Sequence, residues 1–291
     1  MVNAREIRTK IKSIQSTQKI TRAMEMVAAS KMKKAQSRMY ATRPYFSKIG
    51  AVIKHISRGS LEYKHTYTVY RPSKRVGFIV ITSDRGLSGG LNVNLLKLVT
   101  RRILFYKEKG IETSFFVVGK KAISYFNRLG CNIVSTLTGI GDSPHMKDIL
   151  GLVHSALKHY DNYHIDSLYV SYNEFVNTMT QKPTVKKFLP ITNITSDSIV
   201  ETNSKDKWDY IYEPDARELL DKLLLRYVES LFFQSVVENI ASEQAARMVA
   251  MKSASDNAND LISEFKLVYN KARQSAITQE LSEIVSGADA V

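Results

Sequence analysis

Residues 214–287 read PDARELLDKLLLRYVESLFFQSVVENIASEQAARMVAMKSASDNANDLISEFKLVYNKARQSAITQELSEIVSG, and between Pro214 and Gly287 there is neither proline nor glycine. Proline suits a first helical position and glycine a terminator, so the stretch predicts one helix of about 72 residues, roughly 110 Å at 1.5 Å per residue. Leu220, Leu224, Tyr227 and Leu231 form one seam along it. Ala241, Gln244, Met248, Met251, Ser255, Ala258, Ile262, Phe265, Tyr269, Ala272 and Ala276 form a second, and both alternate spacings of three and four as a coiled coil does. A helix longer than a small domain is wide has to pack on another long helix.

The N-terminal segment is the available partner. Asn3 stands three residues before Glu6 in a capping-box-like start, and no glycine follows until Gly50. Pro44 is its one breaker. Ile7, Ile11, Ile14, Gln18, Thr21, Glu25, Ala28, Met32, Ala35 and Met39 keep coiled-coil spacing, with a polar middle beside which the apolar stripe steps sideways to Ile20, Met24 and Val27. That helix therefore has more than one contact face. Charge favours the pairing too: residues 1–60 hold 14 Lys and Arg against Glu6 and Glu25, whereas residues 213–291 hold 8 against 13 acids. The expectation is antiparallel helices over 3–57 and 213–287. If the chain turns near Ser57 and Glu213, opposed residue numbers sum to about 270, which sets Met24 opposite Ala246.

Between the helices the pattern changes. Arg75 to Ser83, Thr113 to Gly119, Ser167 to Tyr172 and Val185 to Ile191 are short apolar runs rich in β-branched and aromatic residues, and helical stretches near 93–109, 120–129 and 145–160 separate them. The alternation predicts a small Rossmann-like α/β domain with a mostly parallel sheet, and residues 195–207 are polar and read as a loop. The fold class is α/β, a long antiparallel coiled coil plus this domain, divided as 1–60, 74–195 and 208–287.

Composition excludes several functions. No window approaches the roughly 20 apolar residues of a spanning helix, and MVNAREIRTK lacks a signal core and cleavage site, so a soluble, unprocessed chain is expected. Cys131 stands alone, without a CxxC partner, and reads as a small core residue in a strand. The net charge of +14 invites a nucleic-acid or basic adaptor reading, yet the acidic C-terminal third and the lack of interleaved aromatics oppose it. His154, His159 and His164 sit five apart, scattered round a helix, and no HExxH occurs, so no metal ligand is nominated.

The glycine-rich stretch Ser83 to Asn92, SDRGLSGGLN, contains Gly86-Leu87-Ser88-Gly89-Gly90, which satisfies the GxSxG pattern of a hydrolase nucleophile. The surrounding α/β region is small for a hydrolase, and neither GxGxxG nor GxxxxGK[ST] is present. A turn needing positive φ, at a contact surface, is the expectation. Glu280 and Glu283 read from spacing as a solvated helix face, and Lys31, Lys33, Lys34 and Arg38 as a basic flank open to phosphates, anionic lipid or an acidic protein loop. No catalytic, cofactor-binding or metal residue is assigned.

Four stretches together, Lys19 to Lys31 (KITRAMEMVAASK), Ser83 to Asn92, Trp208 to Pro214 (WDYIYEP) and Ile277 to Ala288 (ITQELSEIVSGA), resemble the F-type ATP synthase γ family. Their order and spacing span the chain. The resemblance implies a non-catalytic rotor shaft, one copy per complex, standing inside a ring of α and β subunits with its α/β domain against the ε subunit and the c-ring. It implies β-subunit contacts at Met24, Arg273, Gln274, Thr278 and Glu280, and foot contacts over the c-ring at Tyr210, Tyr212 and Glu213. Without a transit peptide or regulatory cysteine insertion, the resemblance is to the bacterial type, peripheral on the cytoplasmic face of the inner membrane.

Overall fold

The computed structural model describes residues 4–59, 65–191 and 216–288. In chain order the elements are α1 (Ala4–Gly59), β1 (Arg75–Ile81), α2 (Leu91–Glu108), β2 (Glu112–Val118), α3 (Lys120–Arg128), β3 (Ile133–Leu137), α4 (Met146–Asp161), β4 (Ser167–Phe175), β5 (Gln181–Leu189) and α5 (Ala216–Ala288). They form two compact units, residues 31–246 and residues 1–30 with 247–291.

In the larger unit the five strands lie in the order β3-β2-β1-β4-β5, parallel except for the antiparallel β5. Alternation along each strand sends side chains to two cores. Val76, Phe78 and Val80 of β1 join Phe115, Val117, Leu95, Val99 and Phe126 under α2 and α3. Ile79 and Ile81 face the other way, joining Phe116, Val118 and Val170 with Leu152 and Val153 of α4 and Phe232, Val236 and Val237 of α5. Gly77 is tightly packed on this second face, where a Cβ would come within 2.8 Å of the Leu168 side-chain end and 2.9 Å of that of Ile165, so both would have to shift. The C-terminal part of α1 packs here as well, through Ala35, Met39 and Ile53. Thr42 donates to Gln234 at 2.6 Å, and Gly50 lies against the Tyr227 ring. Such packing outweighs the roughly 3 kcal/mol that a proline inside a helix costs, and α1 runs unbroken through Pro44.

The smaller unit is a pair of antiparallel helical segments. Gln18 donates to Asn259, and the hydroxyls of Thr21 and Ser255 meet at 2.7 Å. Ile7, Ala28, Met251, Ser255, Ala258 and Ile262 are buried, and Ile11, Ile14, Gln18, Thr21 and Glu25 are half-buried, so the seam lies where spacing put it. The register does not. Opposed numbers sum to 276 or 277 here, and Thr42 with Gln234 gives 276 in the larger unit. Met24 is thus level with Lys252, nearly two turns from Ala246. Treating the two chain reversals as facing one another caused the error, since side-chain bonding and packing set the register.

Two further expectations are corrected. Cys131 lies half-buried in the turn before β3, not in a strand. The edge strands extend beyond the apolar runs: β3 coincides with none of them, and β5 starts at Gln181, four residues before Val185.

Candidate functional site

Among the described residues, two apolar stripes are left uncovered. Past Ala272, α5 has no residue that is even half-buried through to Ala288. Ile277, Leu281, Ile284 and Val285 are 47%, 57%, 67% and 59% exposed. At about 100° per residue these four fall within about 100° of one another, turned about 130° from the seam that faces α1. They are a separate stripe, not a continuation of the coiled coil. Arg273 and Glu280 line one edge of that stripe, Thr278 the other, and Gln274 lies within it. All four are exposed, and Thr278 Oγ1 donates to the Gln274 carbonyl of its own helix at 2.9 Å.

Met24 sits on a second uncovered face. With Ile20 and Val27, 56% and 53% exposed, it forms the sideways stripe that spacing indicated. Tyr210, Tyr212 and Glu213, with the rest of Trp208 to Pro214 and the polar 195–207 stretch, lie outside the described residues.

The glycine-rich loop is a structural turn. Ser88 is 3% exposed, and its hydroxyl is 3.5 Å from the Asn92 amide that donates to it. Asn92 closes the loop by accepting from the Ser83 N–H at 3.2 Å and donating to Ser83 Oγ at 2.7 Å. Positive φ falls at Gly89, as glycine allows, and also at Leu87, whose side chain is exposed. Asp84 then ties three loops together, its carboxylate accepting from the N–H groups of Lys120 at 3.0 Å and Gly139 at 2.8 Å. Nothing in this arrangement activates a nucleophile.

The basic flank divides. Lys31 pairs with Asp142 at 2.6 Å and Arg38 reaches the Asp142 carbonyl, while Gln244 donates to its carboxylate at 2.9 Å. Lys31 and Arg38 thus meet the chain's own Asp142, and Lys33 and Lys34 stay exposed. Spacing did not nominate Asp142 or Asp84, because each acts on residues distant in sequence.

Titration follows burial in the α/β unit. Burial raises the Tyr172 hydroxyl, with nearby Glu238 adding to the shift, to about 12. Burial likewise raises the Cys131 thiol, against the pull of Lys107, so it is a poor nucleophile at neutral pH. His154 contacts the buried Glu229 at 3.0 Å. Among the described residues no group of His, Cys, Asp and Glu could hold a metal ion, and no helix is long and apolar enough to cross a membrane.

A long paired-helix segment with exposed apolar stripes and a doubly wound sheet are the features of a structural, shaft-like subunit. The sequence comparisons identify which. The ATP synthase family model matches residues 3–291. The ATP synthase gamma chain of Glaesserella parasuis serovar 5 is 54% identical over the whole of both chains, and that of Nitrosococcus oceani is likewise 54% identical over the whole of both. The chain therefore belongs to the ATP synthase gamma chain family. Among solved structures, a chain of the central stalk and c-ring of Tetrahymena thermophila mitochondrial ATP synthase superposes with TM-score 0.62 and 25% identity, covering 81% of this chain and 99% of that one. A rotor chain of the Euglena gracilis mitochondrial enzyme shares the fold, with TM-score 0.66 over 94% of this chain and 98% of that one at 19% identity.

Proposed function

We propose that this chain is the central rotor shaft of an F-type ATP synthase, coupling transmembrane proton flow to ATP synthesis and hydrolysis without performing chemistry itself. The observation that carries this beyond family membership is the end of α5, where an apolar stripe bordered by Arg273, Thr278 and Glu280 is left exposed by the described residues. Residues 1–60 and 208–287 supply the shaft, and 74–195 the domain at its foot. Arg273, Gln274, Thr278 and Glu280 contact a β-subunit loop, and Met24 a second β segment. Tyr210, Tyr212 and Glu213 belong over the c-ring, near the ε subunit. The complex holds one copy, peripheral on the cytoplasmic face of a bacterial inner membrane.

The mechanism rests on asymmetry. One shaft presents different side chains to three chemically identical β subunits, and each is biased toward a different conformation by its differential contacts. Rotation permutes those biases. Proton-driven turning then releases ATP, and hydrolysis turns the shaft the other way. Family membership sets aside the basic adaptor and nucleic-acid reading, and the buried, unactivated Ser88 opposes the hydrolase.

Co-purification with α and β subunits, followed by ATP-driven proton pumping in membranes carrying Glu280→Lys, is the test. The shaft reading expects a stable complex and impaired pumping in the variant. A chain that purifies free defeats the shaft, and equal pumping by variant and wild type defeats the assignment of Glu280.

A further inference from the structure

β4 outlasts its neighbour β1. The two pair as far as Ser171 opposite Val80, and β4 then continues to Phe175. Asn173 is 1% exposed, and backbone groups left unpartnered at such depth are costly. Helix α5 serves both of them. Asn239 Oδ1 accepts from the Asn173 N–H at 3.1 Å and from its side-chain amide at 3.0 Å, and Ser242 Oγ donates to the Asn173 carbonyl at 2.8 Å. Three residues apart, Asn239 and Ser242 share one face of the helix and are 1% and 0% exposed.

The place matters as much as the bonds. In open α/β sheets, ligands bind beyond the carboxyl ends of the strands where the strand order reverses. That point is here between β1 and β4. A small cleft lies beyond β1, floored by Ile81, Thr82 and Ser83 and walled by Val236, Asn239 and Ile240. The chain's own helix stands where a doubly wound fold would hold a nucleotide.

We infer that Asn239 and Ser242 are the joint that locks α5, in rotation about its own axis, to the α/β sheet. The inference rests on the shaft reading above. Apolar contact is non-directional, so Val236, Val237 and Ile240 would tolerate a helix rocking on the sheet. Hydrogen bonds are directional, and a turn of α5 by one residue, about 100°, carries both side chains off Asn173. Both backbone groups of Asn173 would then be buried without partners where polarity is least screened. The pair acts as a positioning element: torque on the α/β domain reaches α5 through groups that resist twist.

The test uses the assembled complex with the catalytic ring stopped by inhibitor and a rod attached to the α/β domain, reading the angular variance of the rod. Asn239→Leu, which keeps the volume and loses the acceptor, raises the variance about twofold or more. Asn239→Asp, which keeps an oxygen for the Asn173 N–H, stays nearer to wild type than Asn239→Leu. Ser242→Ala raises it by less than Asn239→Leu, and decides the matter if Asn239→Leu does not assemble. Wild-type variance in Ser242→Ala together with wild-type variance in any assembled Asn239→Leu overturns the joint, as does a lowered thermal midpoint with unchanged variance. A wild-type chain that joins no complex instead defeats the shaft reading.

Discussion

Truncating the tip stripe separates a shaft held by a sleeve from a helix that merely ends in solvent. Leu281 and Ile284 are 57% and 67% exposed, so that much of each side chain remains to be covered by another protein. Fully burying a leucine or isoleucine contributes about 1.5–3 kcal/mol, so covering the exposed share and then replacing each by alanine costs about 1 kcal/mol apiece. The double variant Leu281→Ala/Ile284→Ala should lose about 2 kcal/mol of binding to an α and β ring, roughly a 30-fold rise in dissociation constant. In the isolated chain the same change removes little packing and installs the best helix former, so its stability should stay within about 0.5 kcal/mol. Competition binding against wild-type chain gives the first quantity, and thermal unfolding of the free chain gives the second. Unchanged affinity for the ring, or a loss of stability in the free chain as large as the loss in binding, refutes the reasoning.

The helix register predicts that Thr21→Cys with Ser255→Cys forms a disulfide on mild oxidation, whereas Thr21→Cys with Val249→Cys, which a sum of 270 would pair, does not; gel mobility decides. Gly119 has φ +95 and a Cβ there would lie 2.4 Å from the Thr82 carbonyl oxygen, so Gly119→Ala should cost more than about 3 kcal/mol in thermal unfolding. Gly110→Ala, with φ +68 and open space around it, should cost only about 1–2 kcal/mol. Burial lowers the His65 pKa below 6.5 despite Asp221 and Asp161, so its contribution is complete above 6.5 and lost as pH falls through the lowered value. A His65→Gln variant should therefore flatten the slope of thermal midpoint against pH on that acidic side. Ser88→Ala in the assembled complex should leave ATP hydrolysis nearly unchanged, and a loss beyond about a hundredfold would assign it a catalytic role.

What could be read from sequence depended on how local its cause was. Seams and helix lengths were legible because periodicity is local: Ala28, Met251 and Ala258 are buried where spacing placed them. The central strands β1, β2 and β4 were legible because burial on both faces gives each a run of consecutive apolar residues, Phe78–Ile81, Phe115–Val118 and Leu168–Val170. The edge strands were not. Ile133–Leu137 carries hydroxyls among its apolar residues, and Gln181–Leu189 carries Lys182, Pro183, Lys186 and Lys187, as edges that must not pair with other chains do. Arg273, Gln274, Thr278 and Glu280 were chosen by resemblance alone, and no local signal marked Asn239 or Asp142, whose partners are 66 and about 100 residues away.

The two units differ in what holds them. Residues 31–246 bury phenylalanine, valine, isoleucine and leucine on both faces of a sheet. The paired segments 1–30 and 247–291 bury chiefly alanine, serine and isolated larger residues, with Gln18, Thr21, Ser255 and Asn259 meeting across the seam. Small side chains bring helices close but remove little apolar surface per turn, so such a pair holds its register without gaining much stability. Several of its larger side chains, Ile20, Met24, Met26 and Val27, are exposed instead. A shaft that must turn inside a ring is served by that allocation: directional amide and hydroxyl contacts fix one helix against the other, while apolar side chains on the outer face can be covered without favouring one angle. Fixed ion pairs on the outer face would favour one orientation and oppose rotation. The outer charges on one edge of the tip stripe, Arg273 and Glu280, should therefore act at particular rotor angles, and the apolar stripe beside them at every angle.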